Sequence, residues 1–164
     1  MADSEEKSVK FERRMLRERR FPPSLIPVLA SLKAVPKPNA YCVVELPAGT
    51  PLPNAGARRL SLVLGEKVES YVLPESEWSA LQPAPAGAEV EKGFRILTLS
   101  PLPRGHEGNF MAVIAGMLAD ALVNAMPVWS PGRFDILLKS NDLKAAREAV
   151  DLLVNRAKGR ARTG

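Results

Sequence analysis

Apolar residues change their spacing several times along the chain, and each change marks an expected element. Among the charges of residues 6–20 only Val9, Phe11, Met15 and Leu16 are large and apolar, with Phe21 next. That pattern predicts a solvated helix or a frayed arm, ended by Pro22-Pro23. Residues 24–33 fit either a short helix or a strand, and Pro36, Pro38 and Asn39 form the next break. Tyr41 to Leu46 is short, β-branched and bounded by proline, the pattern of a strand. A loop follows from Pro47 to Ala57, and then Leu60, Leu62 and Leu64 alternate on one face of a second strand. Gly65-Glu66 turns the chain into a third strand, Val68 to Leu73, hairpinned to the second. Glu75 to Ala80 fits one helical turn and residues 82–92 a Pro/Ala/Gly connector. Phe94 to Leu99 fits a strand with Phe94, Ile96 and Thr98 on one side.

The last third has the clearest periodicity. A glycine-containing turn, Gly105 to Asn109, opens a helix from about Asn109 to Val123 that is apolar on nearly every side, so most of its surface is expected to be covered. Val128 to Ser130 and Phe134 to Lys139 read as strands joined around Pro131-Gly132. The last helix starts near Ser140, Asn141 or Asp142, all N-cap residue types. It places Leu143, Ala146, Val150 and Leu153 on one face. Lys144 with Glu148, and Arg147 with Asp151, stand four apart on its outer face. From Phe94 onward the order is strand, helix, strand, strand, helix. With connections this short, the order predicts an α+β fold: a mixed or antiparallel sheet with helices packed on one face.

Five segments in this order resemble the small proteins built from two tandem ACT units, a group related to the eukaryotic cytosolic arginine sensors. Asn39-Ala-Tyr-Cys-Val-Val-Glu-Leu-Pro is similar to that family's first strand. Ser70-Tyr71-Val72-Leu73-Pro74-Glu75 is similar to its Ser-Val-Val-x-Pro-Glu run. Phe94-Arg95-Ile96-Leu97 is similar to its aromatic-Arg-x-Leu strand opening. Ser130 to Leu138 is similar to its Asp-containing strand pair, and Asp142-Leu143-Lys144-Ala145-Ala146 to its closing helix. The resemblance spans Val28 to Leu153. It departs at Glu66 and Glu69, which stand near but not on the family's acidic turn. It departs again at Gly108-Asn109 in place of Thr-Gly, and at one extra residue near Leu122 to Ala125.

The resemblance implies tandem ACT-like (ferredoxin-like) units over 24–92 and 93–155; by their charge, residues 1–23 read as an arm or helix and 156–164 as a basic disordered tail. It implies a regulatory protein, an allosteric sensor and not an enzyme. Such a protein binds a free amino acid or similar small zwitterion at an interface between units and forms a homodimer.

Charge bears on the alternative. The formal net charge is +5, but residues 1–20 carry +2 of it and residues 155–164 carry +4, leaving 21–154 at −1. The expected folded part is therefore nearly neutral, and any nucleic-acid or protein contact through charge belongs to the basic tails. Aromatic residues are 5% of the chain, too few for a base-stacking platform. The single cysteine, Cys42, sits in an apolar run and reads as a buried structural thiol; it excludes an intramolecular disulfide and any multi-cysteine zinc site. The longest apolar run, Phe110 to Ala119, is about half the length of a membrane-spanning helix. The acidic N-terminus carries no secretory apolar core, so a cytoplasmic location is expected.

Few residues offer chemistry. His106 is the only histidine, in the turn Arg104-Gly105-His106-Glu107-Gly108. Without a nucleophile or second ligand beside it in the sequence, it reads first as an exposed turn residue. The turn itself precedes a helix, so the N–H groups of Gly105, His106, Gly108 and Asn109 are candidates to hold a carboxylate; the alternative is an ordinary glycine turn with Asn109 as a cap. Asp135 interrupts an apolar strand, where a carboxylate needs a partner. It is the acceptor for a ligand's cationic group, the partner of Arg133 or Arg95, or simply an exposed strand position. Ser70, Glu69 and Ser130 are possible polar companions, and Trp78 and Trp129 read as packing residues. No phosphate-binding glycine loop, paired-His spacing or nucleophile elbow occurs, so no catalytic residue, metal or cofactor is expected.

Overall fold

The computed structural model describes residues 22–50, 60–64, 67–81, 83–102, 105, 107–130 and 133–162, with side chains undescribed at 60–64 and at Ser130. Among these residues seven strands form: β1 Lys33–Pro36, β2 Tyr41–Pro47, β3 Leu60–Leu64, β4 Val68–Pro74, β5 Glu89–Ser100, β6 Ala125–Ser130 and β7 Arg133–Lys139. The helices are α1 Ile26–Ser31, α2 Glu75–Ser79, α3 Glu107–Asp120 and α4 Leu143–Ala161, with 3-10 turns at Pro23–Leu25 and Ser140–Asp142.

Contacts divide these elements into two compact units. The first holds the described residues up to Pro36 together with those from Leu97 onward; the second is Lys37–Ile96. This differs from consecutive units meeting near residue 92. Pairing is the reason: β1 bonds to the last residues of β5, with Lys33 opposite Ser100 and Pro36 opposite Leu97, so the early strand belongs with the late part of the chain.

In the second unit the strand order is β3-β4-β2-β5. β2 pairs with β4 from Tyr41↔Pro74 to Pro47↔Val68, and β3 pairs with β4 as a hairpin, as its pattern predicts. The side chains of the Leu60/Leu62/Leu64 face and the Gly65-Glu66 turn lie outside the described residues. β5 starts at Glu89, inside the expected connector. It carries one extra residue against β2, between Tyr41↔Phe94 and Val43↔Glu91. Gly93, with φ of 84°, supplies the left-handed backbone that this bulge requires. Cys42, Val44, Leu46 and Leu73 form the buried core, with Tyr71, Trp78 and Ala88 packed against it.

In the first unit β5 lies between β1 and β7, and β6 pairs with β7 from Ala125↔Leu138 to Ser130↔Arg133. Leu97 and Leu99 of β5 and Phe134, Ile136 and Leu138 of β7 alternate onto one face and share a core with α3 and α4. α3 contributes Phe110, Ile114, Met117 and Leu118, and α4 contributes Ala146, Ala149, Val150, Leu153, Val154 and Ala157. Residues 24–33 are helical rather than extended up to Ser31: Leu25, Leu29 and Leu32 join the same core and α1 packs on α4. Trp129 packs here too, its ring centroid 5.6 Å from that of Phe134.

Several expectations meet the structure in this unit. α3 begins at Glu107, so Gly108 and Asn109 lie in its first turn and not before it. It is also covered on one side only: Met111, Ala112, Ala115 and Ala119 are exposed. α4 starts at Leu143, where the sequence places it; Asp142 at its N-cap makes no side-chain cap bond, and Ser140–Asp142 form a 3-10 turn in which the Leu143 N–H meets Ser140 O. The basic tail is largely helix. Ala157 is fully buried and continues the apolar face of α4, while Lys158 and Arg160 complement the negative C-terminal end of the helix.

Candidate functional site

Asp135 is the one buried polar or charged residue among the described core positions, 5% exposed. It stands on β7 on the sheet face opposite Phe134 and Ile136. Its two oxygens have separate partners. Arg133 Nε lies 2.7 Å from Oδ2, and the Thr98 hydroxyl donates to Oδ1 at 2.5 Å. Arg133 is half-exposed. Of the alternatives left open by the sequence, the Arg133 ion pair is therefore present. Arg95 belongs to the other unit and bonds elsewhere.

The Gly105 turn also has an internal partner. Gly105, with φ of 78°, donates its N–H to Glu107 Oε1 at 3.0 Å. The first acidic residue of α3 thus places its own carboxylate where the turn offers a donor. Gly108 and Asn109 are exposed in the first helical turn. His106 lies outside the described residues, as does the Ser130 side chain; the Ser130 backbone ends β6 opposite Arg133. Ser70 is in the second unit, where its hydroxyl donates to Glu45 Oε1 at 3.4 Å. Glu69 of the same strand accepts from the Tyr71 hydroxyl and, at 3.3 Å, from the Gly49 N–H.

A second group of residues escapes the sequence reading. Arg95, near the end of the second unit, donates from Nη2 to Lys37 O at 3.1 Å. Its Nε is buried and has no hydrogen-bond partner among the described residues. Glu75 accepts from Gly93 N at 2.8 Å and donates its own N–H to Ala40 O at 3.0 Å. Cys42 is buried beside Glu75, and burial first, then the Glu75 carboxylate, push its thiol up to about 11. A thiol so held is a packing group and not a nucleophile. The Phe-Arg strand opening marks Arg95 in the sequence, but an unsatisfied atom is a property of packing and leaves no trace in a pattern.

No protein-family model matches the sequence, and comparison with curated proteins finds no match either. Solved structures do match. A Vibrio cholerae protein of unknown function, a possible transport protein, superposes with a TM-score of 0.58 at 18% identity, over 80% of this chain and 96% of that one. The ligand-free regulatory subunit of aspartate kinase from Thermus thermophilus gives 0.54 at 13% identity, over 74% and 97%. A protein from Agrobacterium tumefaciens gives 0.53 at 19% identity, over 73% and 84%. At these identities the likeness is one of fold, and it agrees with the α+β, ACT-like ferredoxin-type architecture expected from the sequence. Among the described residues no helix is long and apolar enough to cross a membrane.

Proposed function

We propose that this chain is a regulatory, non-catalytic module of the ACT type that binds a free amino acid or similar small zwitterion. The observation that carries this reading is the fold shared with the regulatory subunit of aspartate kinase over nearly all of that subunit's length. The candidate pocket residues belong to the first unit: Gly105, His106, Gly108 and Asn109 for the ligand carboxylate, Asp135 for its cationic group, and Ser130 for an added hydrogen bond. Ser70 lies in the second unit, where its hydroxyl donates to Glu45, and is not among them. Glu107 and Arg133 stand at Gly105 and Asp135 as the two charged ends of a ligand would. A ligand therefore binds by displacing them, which sets a modest affinity.

Thermal-shift measurements against each amino acid test the reading: a ligand that binds only the folded state raises the melting temperature in proportion to ln(1 + [L]/Kd). Asp135→Asn then weakens that ligand by roughly tenfold, the size of one charged hydrogen bond. Unchanged affinity in a folded Asp135→Asn variant removes Asp135 from the site. Self-association belongs to the same reading and is checked by light scattering, where a mass of one chain at all concentrations contradicts it. The competing reading is nucleic-acid or protein binding through the basic end of α4, where Arg156, Lys158, Arg160 and Arg162 follow one another without an acid. Strong, salt-dependent binding of nucleic acid that disappears when these four become Gln favours that reading instead.

A further inference from the structure

We infer that Arg95 is the anchor of a carboxylate-binding site in the second unit, a place distinct from the Asp135 residues. Arg95 is the next-to-last residue of the part of β5 that belongs to this unit, two residues beyond the Gly93 bulge. Its guanidinium is fixed at one corner by the Nη2 bond to Lys37 O, while the buried Nε–H has no acceptor among the described residues. A charged donor is not left buried and unpaired without a missing partner, and the partner that suits a guanidinium is an oxyanion such as a carboxylate. The loop 37–40 that Arg95 holds at Lys37 is held at its other end by Glu75, which bonds Ala40 O through its N–H. The same Glu75 accepts from Gly93 N with Oε1 alone, so its carboxylate stands on the bulge with a second oxygen.

The guanidinium of Arg95 thus holds one end of this loop, and Glu75 holds the other end through its main chain while its carboxylate sits on Gly93, two residues before Arg95. Their signs match the two ends of an α-amino acid: Arg95 takes the carboxylate and Glu75 the ammonium. The site rests on the reading that the chain binds a small zwitterion, but it assigns the ligand to other residues. The buried position of Nε means that the loop yields when the ligand enters, so binding is expected to change the backbone resonances of 37–40 together with the Arg95 signal.

Nuclear magnetic resonance of the full chain tests this through the Arg95 Nε–H cross-peak, assigned with the Arg95→Met variant. Glycine, acetate and methylammonium are titrated separately. Glycine is expected to move the cross-peak most, acetate less, and methylammonium not at all. Arg95→Lys, which keeps the charge but not the fork, weakens glycine roughly tenfold; it also serves if the Met variant fails to fold. Glu75→Gln weakens glycine but leaves acetate unchanged. An Arg95 signal unmoved by both glycine and acetate overturns the proposal. If a screened amino acid binds the protein but is lost in Asp135→Asn and kept in Arg95→Lys, the Arg95 site fails while the amino-acid reading stands.

Discussion

Leu122 occupies a backbone conformation that costs a leucine energy and is 78% exposed, so it recovers nothing by burial. It follows α3 in a Schellman arrangement: Val123 N bonds Leu118 O and Leu122 N bonds Ala119 O. Glycine is the residue this position favours, and Leu122→Gly is expected to raise stability by up to about 1 kcal/mol, read from chemical denaturation. Asp135 is the opposite case, a costly residue whose cost is met. Arg133→Gln leaves its carboxylate with Thr98 alone and is expected to destabilise by about 1–3 kcal/mol in the same measurement. Cys42 predicts a pH dependence. Its folded pKa is raised from 9.0 to about 11, so the unfolded thiol loses its proton first. The associated stability is complete below pH 9 and is lost as the pH rises through 11. Cys42→Ala should therefore flatten the alkaline limb of the stability curve, and an unchanged limb would contradict that assignment. At this scale the sequence shows that Asp135 needs a partner, and Arg133 is near enough to be named. Thr98 is not legible, because it reaches Asp135 only through the placement of β5 beside β7.

Among the elements, α4 separates pattern from composition. The composition of 156–164 reads as a solvated tail, yet the spacing Ala149, Leu153, Ala157 continues an apolar face into it. Deleting residues 156–164 is thus expected to lower the melting temperature and helical circular dichroism, with a loss of about 1–3 kcal/mol. A removable tail would leave both unchanged. Strand positions were legible wherever proline or glycine bounded an alternating run, as in β2, β4 and β7. The early start of β5 was not: Glu89, Val90, Glu91 and Lys92 look like connector, and only pairing with β2 makes them strand. α3 misled in the other direction. Its apolar composition predicts cover on most sides, while small alanines at 112, 115 and 119 let one side face solvent at little cost.

For the whole molecule the informative feature is that the second unit is an insertion. It leaves the first unit after Pro36 and returns at Leu97, and these two residues face each other across the β1–β5 ladder. A tight turn such as Asn-Gly joining them is the geometry of a hairpin. Replacing 37–96 by that turn is expected to give a chain that still melts cooperatively; a spectrum without dispersed resonances would show that the first unit depends on the insertion. The same feature sets an order of events on the ribosome. Lys37–Ile96 is continuous and can close its ladders as soon as it emerges, whereas β1, made earlier, must wait through all of it for the strand it pairs with and for the helices that cover its core. Leu25, Leu29 and Leu32 are thus synthesised before the partners that bury them, and during that interval they are surfaces that a chaperone would meet.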